Sequence, residues 1–79
     1  MKTQTMSNTD SQQLEADLIV YKGNNKARLI ARCYMFATNG GTEAGELGPY
    51  DQFKKVWLKR SFQRIHDAFD HVLPQQYRG

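Results

Sequence analysis

The sequence predicts a small α+β domain with the order β-β-β-α-α: a three-stranded antiparallel sheet with two C-terminal helices packed on one face. Three observations support this fold class. Apolar residues recur at every second position in the first third of the chain. Gly-Asn and Asn-Gly pairs separate the segments as hairpin turns would. From Tyr50 to Leu73 the chain has a helical period and contains no glycine or proline.

Two long segments account for most of the predicted sheet. The first strand spans residues 14–22, and the second spans residues 27–37, which contain no glycine or proline. Glycine accepts positive φ readily and asparagine tolerates it, so the Gly-Asn pair at 23–24 suits a two-residue turn between them. This turn places Leu18 opposite Leu29, and the remaining pairs on that face are also apolar, so the register is self-consistent.

A weaker third strand is predicted after the Asn-Gly turn at residues 38–41. It covers residues 42–47, which include Gly45 and two glutamates, and it therefore resembles an edge strand. Two helices follow, at about 50–59 and 62–73, because the apolar stripe changes phase between them. Ser61 is predicted to cap the second helix, and Pro74 to end it.

Length and composition limit what the chain can do. Its 79 residues carry a formal net charge of +3 and a single cysteine, Cys33. One thiol cannot form an internal disulfide, which favours a reducing cytoplasm, and no apolar run approaches the roughly twenty residues of a membrane span. We expect one domain over residues 14–74, a disordered polar tail at residues 1–13 and a flexible tail at residues 75–79.

The predicted sheet has one open face, because helices cover only the other. Aromatic rings alternating with arginines are typical of a surface that binds a macromolecule. Two other interpretations remain open, a solvated face neutralised by Glu15 and Asp17 and a homodimer interface. The expected contact residues on this face are Tyr21, Arg28, Arg32, Tyr34 and Phe36.

The second candidate site is a basic segment within the predicted helices. Five of the eleven residues from Lys54 to Arg64 are cationic, and only Asp51 lies close before them. Such a cluster attracts nucleic acid or an acidic protein surface, but it is also typical of a solvated helix face. The contact residues expected here are Lys55, Lys59, Arg60 and Arg64.

No catalytic, cofactor or metal site is predicted. His66 and Asp70 are four residues apart, as are Asp67 and His71, and an exposed i,i+4 pair explains this spacing better than a metal site does. Cys33 falls among inward-facing apolar positions and has no neighbouring base, so we expect it in the core rather than as a nucleophile.

Short matching pieces over about fifty residues resemble the small phage-borne anti-CRISPR proteins that inhibit type I-F surveillance complexes. They are Val20-Tyr21, Lys26, Asn39-Gly40, Gln52, Trp57 and Arg64-Ile65. The resemblance implies a compact sheet-plus-two-helix protein without enzymatic activity that binds an RNA-guided complex and blocks access of target DNA. It also implies that Tyr21 is a contact residue. The chain departs from that family in its basic first helix and its arginine-bearing second strand.

Together these features predict a small non-enzymatic intracellular binding protein that acts as a phage or mobile-element inhibitor. We expect it to occlude a host protein or ribonucleoprotein complex without a cofactor. The alternative is a direct nucleic-acid-binding domain that uses the same aromatic face and basic helix. A homodimer is a further option, and no membrane association is expected.

Overall fold

The computed structural model describes residues 8–19, 25–39 and 45–78, and these form a small all-helical globule. Four α-helices follow in order: α1 (Asn8–Leu18), α2 (Asn25–Ala37), α3 (Tyr50–Leu58) and α4 (Phe62–Phe69). Short 3₁₀ helices lie at Gly45–Leu47 and Gln75–Tyr77. The described residues contain no strand, so the predicted α+β fold class is wrong.

Where the structure describes them, the two long segments predicted as strands are mainly helical. In α2 the buried side chains Ala27, Ile30, Ala31 and Tyr34 follow the spacing i, i+3, i+4, i+7, which is the stripe of an amphipathic helix. Alanine, leucine, arginine and methionine, all strong helix formers, supply much of this segment. The alternating apolar pattern did not exclude a helix, because positions four apart share a face in both a strand and a helix.

The predicted turns and third strand also change. Asn39 has a φ of 52°, in the left-handed region that asparagine tolerates just past the end of a helix. It therefore follows the end of α2 instead of opening a hairpin. Residues 45–47 of the predicted edge strand form a 3₁₀ helix. The Gly-Asn turn at 23–24 and residues 40–44 lie outside the described residues.

The two C-terminal helices confirm the sequence prediction more closely. α3 begins directly after Pro49, and α4 begins after Ser61, whose Oγ accepts the backbone N–H of Arg64 at 3.2 Å as an N-cap. α4 ends at Phe69, earlier than predicted, and turns with backbone hydrogen bonds carry the chain on to Pro74.

An aromatic cluster forms the centre of the core. The Tyr34 ring packs edge-on against Tyr50 and Phe53, with centroids 5.1 Å and 5.0 Å apart. Phe69 brings α4 into the cluster, 5.5 Å from Phe53 and 5.0 Å from Trp57. The Tyr34 hydroxyl donates to the carbonyl oxygen of Gly48 at 2.6 Å, so its one polar group is satisfied. This cluster joins α2, α3 and α4 into one unit.

A buried carboxylate joins α1 to α3. Only 5% of the Asp17 side chain is exposed, and it accepts hydrogen bonds from the Tyr50 hydroxyl and from Gln13 Nε2, the latter at 3.0 Å. Lys54 Nζ lies 3.0 Å from Asp17 Oδ2 and completes the group. Burial and the contact with Asp17 raise the pKa of Tyr50, so its hydroxyl remains protonated and continues to donate.

Both predicted tails need correction where the structure describes them. α1 begins at Asn8, so residues 8–13 are helical and not part of a disordered tail. At the other end, Tyr77 belongs to a 3₁₀ helix and its ring lies 6.3 Å from that of Phe36. The C-terminal segment therefore packs on α2 instead of fraying.

Candidate interaction surface

The helical conformation of α2 divides the predicted aromatic and arginine face into two groups. Tyr34 is fully buried in the core, so the expectation that it meets solvent is wrong. Arg28, Arg32 and Phe36 are four residues apart and remain on one partly exposed side of α2. Tyr21 lies outside the described residues. A sheet face that presents all five side chains together therefore does not form.

The predicted basic segment also divides, because two of its lysines have carboxylate partners. Lys54 is bound to the buried Asp17, and Lys55 Nζ lies 3.7 Å from Asp51 in an exposed i,i+4 pair. The cations that follow are exposed and form no ion pair with another described residue. They are Lys59, Arg60 and Arg64, at the junction between α3 and α4.

A fourth cation from α2 joins this junction. Lys26 Nζ donates to the carbonyl oxygen of Leu58 at 3.3 Å and lies 5.6 Å from the centroid of the Phe62 ring. The carbonyl belongs to the last residue of α3, where a cation also favours the helix dipole. We call the resulting surface the basic corner. It consists of Lys26, Leu58, Lys59, Arg60, Phe62 and Arg64.

Two exposed apolar side chains lie within the basic corner. Phe62 is 46% exposed and Leu58 is 39% exposed, although both belong to residue types that usually enter the core. The structure buries Ile65 and Phe69 and leaves these two in contact with solvent.

The electrostatics of the basic corner indicate that Lys59, Arg60 and Arg64 do little for the fold. Residues 58–64 contain three cations and no acidic residue, and Lys26 adds a fourth cation from α2. Together these four charges exceed the net charge of +3 of the whole chain. Arg64 lies in the first turn of α4, which holds no acidic residue. A cation there opposes the helix dipole, at a cost of about 0.3–1 kcal/mol. The basic corner therefore concentrates positive charge beside the exposed side chains of Leu58 and Phe62.

Sequence reasoning missed two of the contributors. Neither Lys26 nor Phe62 was predicted as a contact residue, because the predicted strand pairing placed Lys26 beside a hairpin turn and not at the beginning of a helix. The available signal was the helical spacing of Ala27, Ile30 and Tyr34, which starts a helix near Asn25 and so places Lys26 in its first turn.

Three further candidates from the sequence, His66, Asp67 and Cys33, have structural roles. His66 Nδ1 lies 2.8 Å from Asp70 Oδ1, while Asp67 accepts from Gln63 instead of pairing with His71. Burial, with a smaller contribution from Asp70, raises the pKa of Cys33 to about 12, so the thiol is protonated near neutral pH and is a core residue as expected. Within residues 8–19, 25–39 and 45–78 no group of three or more His, Cys, Asp or Glu side chains is placed to hold a metal.

A shallow depression lies on the other side of α3. Its volume is about 200 Å³, and Leu47, Phe53, Val56 and Trp57 provide its apolar lining, with Glu46 and Gln52 at its polar edge. It adjoins the core but lacks the group of charges that marks the basic corner.

Comparisons with known protein families, with curated proteins and with solved structures find no match. In the part of the chain that the structure describes, no helix has both the length and the apolar character that crossing a bilayer requires.

Proposed function

We propose that this chain is a small non-enzymatic binding protein whose basic corner docks on an acidic surface of a partner protein. One observation carries the proposal: four cations without a carboxylate partner among the described residues lie at the junction of α3 and α4 together with two exposed apolar side chains, and one of the cations, Lys26, contacts both of these residues. Protein interfaces of this kind combine a desolvated apolar centre with a charged rim. Phe62 and Leu58 supply the centre, and the cations supply the rim.

Nucleic acid is the second candidate, since contiguous cations also attract phosphates. One contact favours protein. Single-stranded nucleic acid is usually held by stacking its bases on open aromatic faces. The only exposed ring of the basic corner, Phe62, has the Lys26 ammonium over its face. A partner protein with carboxylates and an apolar pocket can contact both the cations and the exposed apolar side chains of the basic corner.

The narrower form of the proposal is inhibition by occlusion of a host protein or ribonucleoprotein complex, as in phage-encoded inhibitors. Lys26 and Arg64, two of the residues that carry the resemblance to the anti-CRISPR proteins, belong to the basic corner. The sheet that this resemblance implies does not occur in the described residues, so the surface supports this function and the family does not. A single buried cysteine suits a reducing cytoplasm.

A homodimer through the basic corner is disfavoured on physical grounds. A two-fold interface would bring the same four cations of each copy together, and juxtaposed like charges oppose association. The partner should instead be negative where this surface is positive.

The test is site-directed photocrosslinking in host lysate, with p-benzoylphenylalanine replacing Phe62 and, as the matched control, the exposed Gln12 of α1. We expect one protein to be captured from position 62 and not from position 12. Its capture should fall at least tenfold with Arg60→Glu and recover when an acidic residue on the partner is changed to lysine.

Two outcomes would contradict the proposal. Capture of nucleic acid from position 62 would assign the basic corner to the second candidate. Equal capture from positions 62 and 12, unaffected by Arg60→Glu, would show that the basic corner is an ordinary solvated surface.

A further inference from the structure

The depression beside α3 is separate from the basic corner, since no residue of the basic corner lines it. Its six lining residues come from α3 and from the 3₁₀ helix that precedes it: Glu46, Leu47, Gln52, Phe53, Val56 and Trp57. Three of them, Glu46, Gln52 and Val56, are exposed, so a ligand in solution can reach the depression. Its volume of about 200 Å³ is below the roughly 300–1,000 Å³ of pockets for drug-sized ligands, and it therefore suits a small head group.

Two aromatic rings give the depression a fixed aromatic surface. Trp57 is partly exposed, and its ring centroid lies 6.2 Å from that of Phe53, with the ring planes inclined by 42°. The buried Phe69 packs edge-on against the indole at 5.0 Å and holds it in place. Aromatic rings attract cations, and tryptophan does so most strongly. Because this indole is already ordered, binding a ligand does not require it to lose further conformational freedom.

The charge at the edge of the depression indicates the ligand class. Glu46 is the one ionisable side chain among the described residues that line it, and it forms no ion pair with another described residue. The neighbouring lysine of α3, Lys55, is paired with Asp51 and does not line the depression. A carboxylate attracts cations and repels anions, and aromatic rings also favour cations. Glu46 and Trp57 therefore select the same class of ligand, an organic cation.

The apolar walls favour a quaternary ammonium over a primary one. A primary ammonium is strongly hydrated and carries three donors, whereas the depression offers side-chain acceptors only at its edge, in Glu46 and Gln52. A quaternary ammonium has no N–H donor and carries its charge within a shell of alkyl groups. These groups can contact Leu47 and Val56 while the charge is attracted to the indole.

A small molecule fits this site better than a protein surface does. Specific protein interfaces cover about 800 Å² on each partner. Of the exposed large hydrophobic side chains among the described residues, only Val56 lines the depression. The apolar surface is therefore confined to the depression itself.

We propose that this depression binds the quaternary ammonium head group of a small molecule. Trp57 attracts the cation through its ring, and Glu46 supplies the opposite charge at the edge. Leu47 and Val56 contact the alkyl groups. Binding is reversible and involves no covalent step.

The test is an NMR titration of the full chain with choline. Trp57 is the single tryptophan of the chain, so its indole ¹⁵N–¹H signal reports on this site alone. Choline replaces sodium in the buffer so that ionic strength stays constant. The control ligand is neohexyl alcohol, the neutral isostere in which carbon replaces the charged nitrogen. We expect a saturable shift with choline and an affinity for the alcohol that is lower by about fivefold or more.

Matched variants separate the charge from the apolar contacts. Glu46→Gln keeps the size of the side chain but removes its charge, so it should weaken choline binding several-fold and leave binding of the alcohol unchanged. Glu15→Gln changes an exposed glutamate of α1 and should bind choline as the wild type does.

Three results would overturn the proposal. Equal affinities for choline and the alcohol would mean that the depression binds apolar groups without regard to charge. Unchanged choline binding by a folded Glu46→Gln variant would mean that the carboxylate takes no part. An indole shift that rises linearly with choline, without saturation, would mean that no site exists.

Discussion

Two neighbouring lysines of α3 lie in opposite environments. Lys54 is 19% exposed and contacts the buried carboxylate of Asp17, whereas Lys55 is 67% exposed and contacts an equally exposed Asp51 at 3.7 Å. Buried ion pairs are costly to break because they leave an uncompensated charge, while exposed pairs contribute little. The sequence presents the two lysines as one basic run, but only the first has a structural role.

The same division applies to the molecule as a whole. Around Asp17 the polar groups satisfy one another and hold α1 on α3. At the basic corner the cations satisfy no carboxylate among the described residues. Lys54 and Asp17 therefore hold the fold together, whereas Lys59, Arg60 and Arg64 remain available to a partner.

The largest expected effect is at the buried carboxylate. Asp17→Ala removes the acceptor of the Tyr50 hydroxyl and leaves the Lys54 ammonium without its partner, so we expect the free energy of unfolding to fall by about 3–5 kcal/mol. Lys55→Ala is the matched control and should change it by less than about 0.5 kcal/mol. Urea denaturation followed by circular dichroism measures both, and similar losses in the two variants would refute the comparison.

A smaller effect should appear at alkaline pH. Burial raises the pKa of Cys33 from 9.0 to about 12, so above pH 9 the unfolded chain releases this proton while the folded chain retains it. The contribution to stability is complete below pH 9 and is lost as pH rises toward 12, by about 1.4 kcal/mol per pH unit.

Cys33→Ala removes the titrating thiol and should flatten this part of the profile. Tyr34 and Tyr50, whose pKa values are also raised by burial, contribute in both proteins and do not affect the difference. Thermal denaturation at pH 8, 9, 10 and 11 measures it. Parallel profiles for the wild type and the variant would mean that Cys33 is not protected in the folded state.

Helix periodicity explains which parts of the fold the sequence predicted. From Tyr50 to Leu73 no glycine or proline interrupts the pattern, and Ser61 provides a recognisable cap, so α3 was predicted to within one residue and α4 was predicted from its correct first residue, although it ends four residues earlier. In α2, Ile30 and Tyr34 satisfied both a strand and a helix pattern, because a spacing of four is compatible with each. Pairing with the similarly ambiguous residues of α1 then made a wrong hairpin self-consistent.

The candidate surface was predictable only in part. Lys59, Arg60 and Arg64 were identified from local charge, which does not depend on the fold. Lys26 was missed because its contact with Leu58 spans 32 residues, and no local pattern reports such a contact. Tyr34 was wrongly placed in solvent because its exposure was inferred from a sheet that does not form.

Three cations of the basic corner, Lys59, Arg60 and Arg64, do not stabilise the fold through their charge. The most direct test is the free energy of unfolding of the triple variant Lys59→Gln, Arg60→Gln, Arg64→Gln, compared with that of the wild type at low ionic strength. We predict a change of less than about 0.5 kcal/mol, or a slight gain, because these side chains have no carboxylate partner among the described residues and repel one another. A loss greater than about 1 kcal/mol would contradict the account, since it would show that the fold itself depends on these cations.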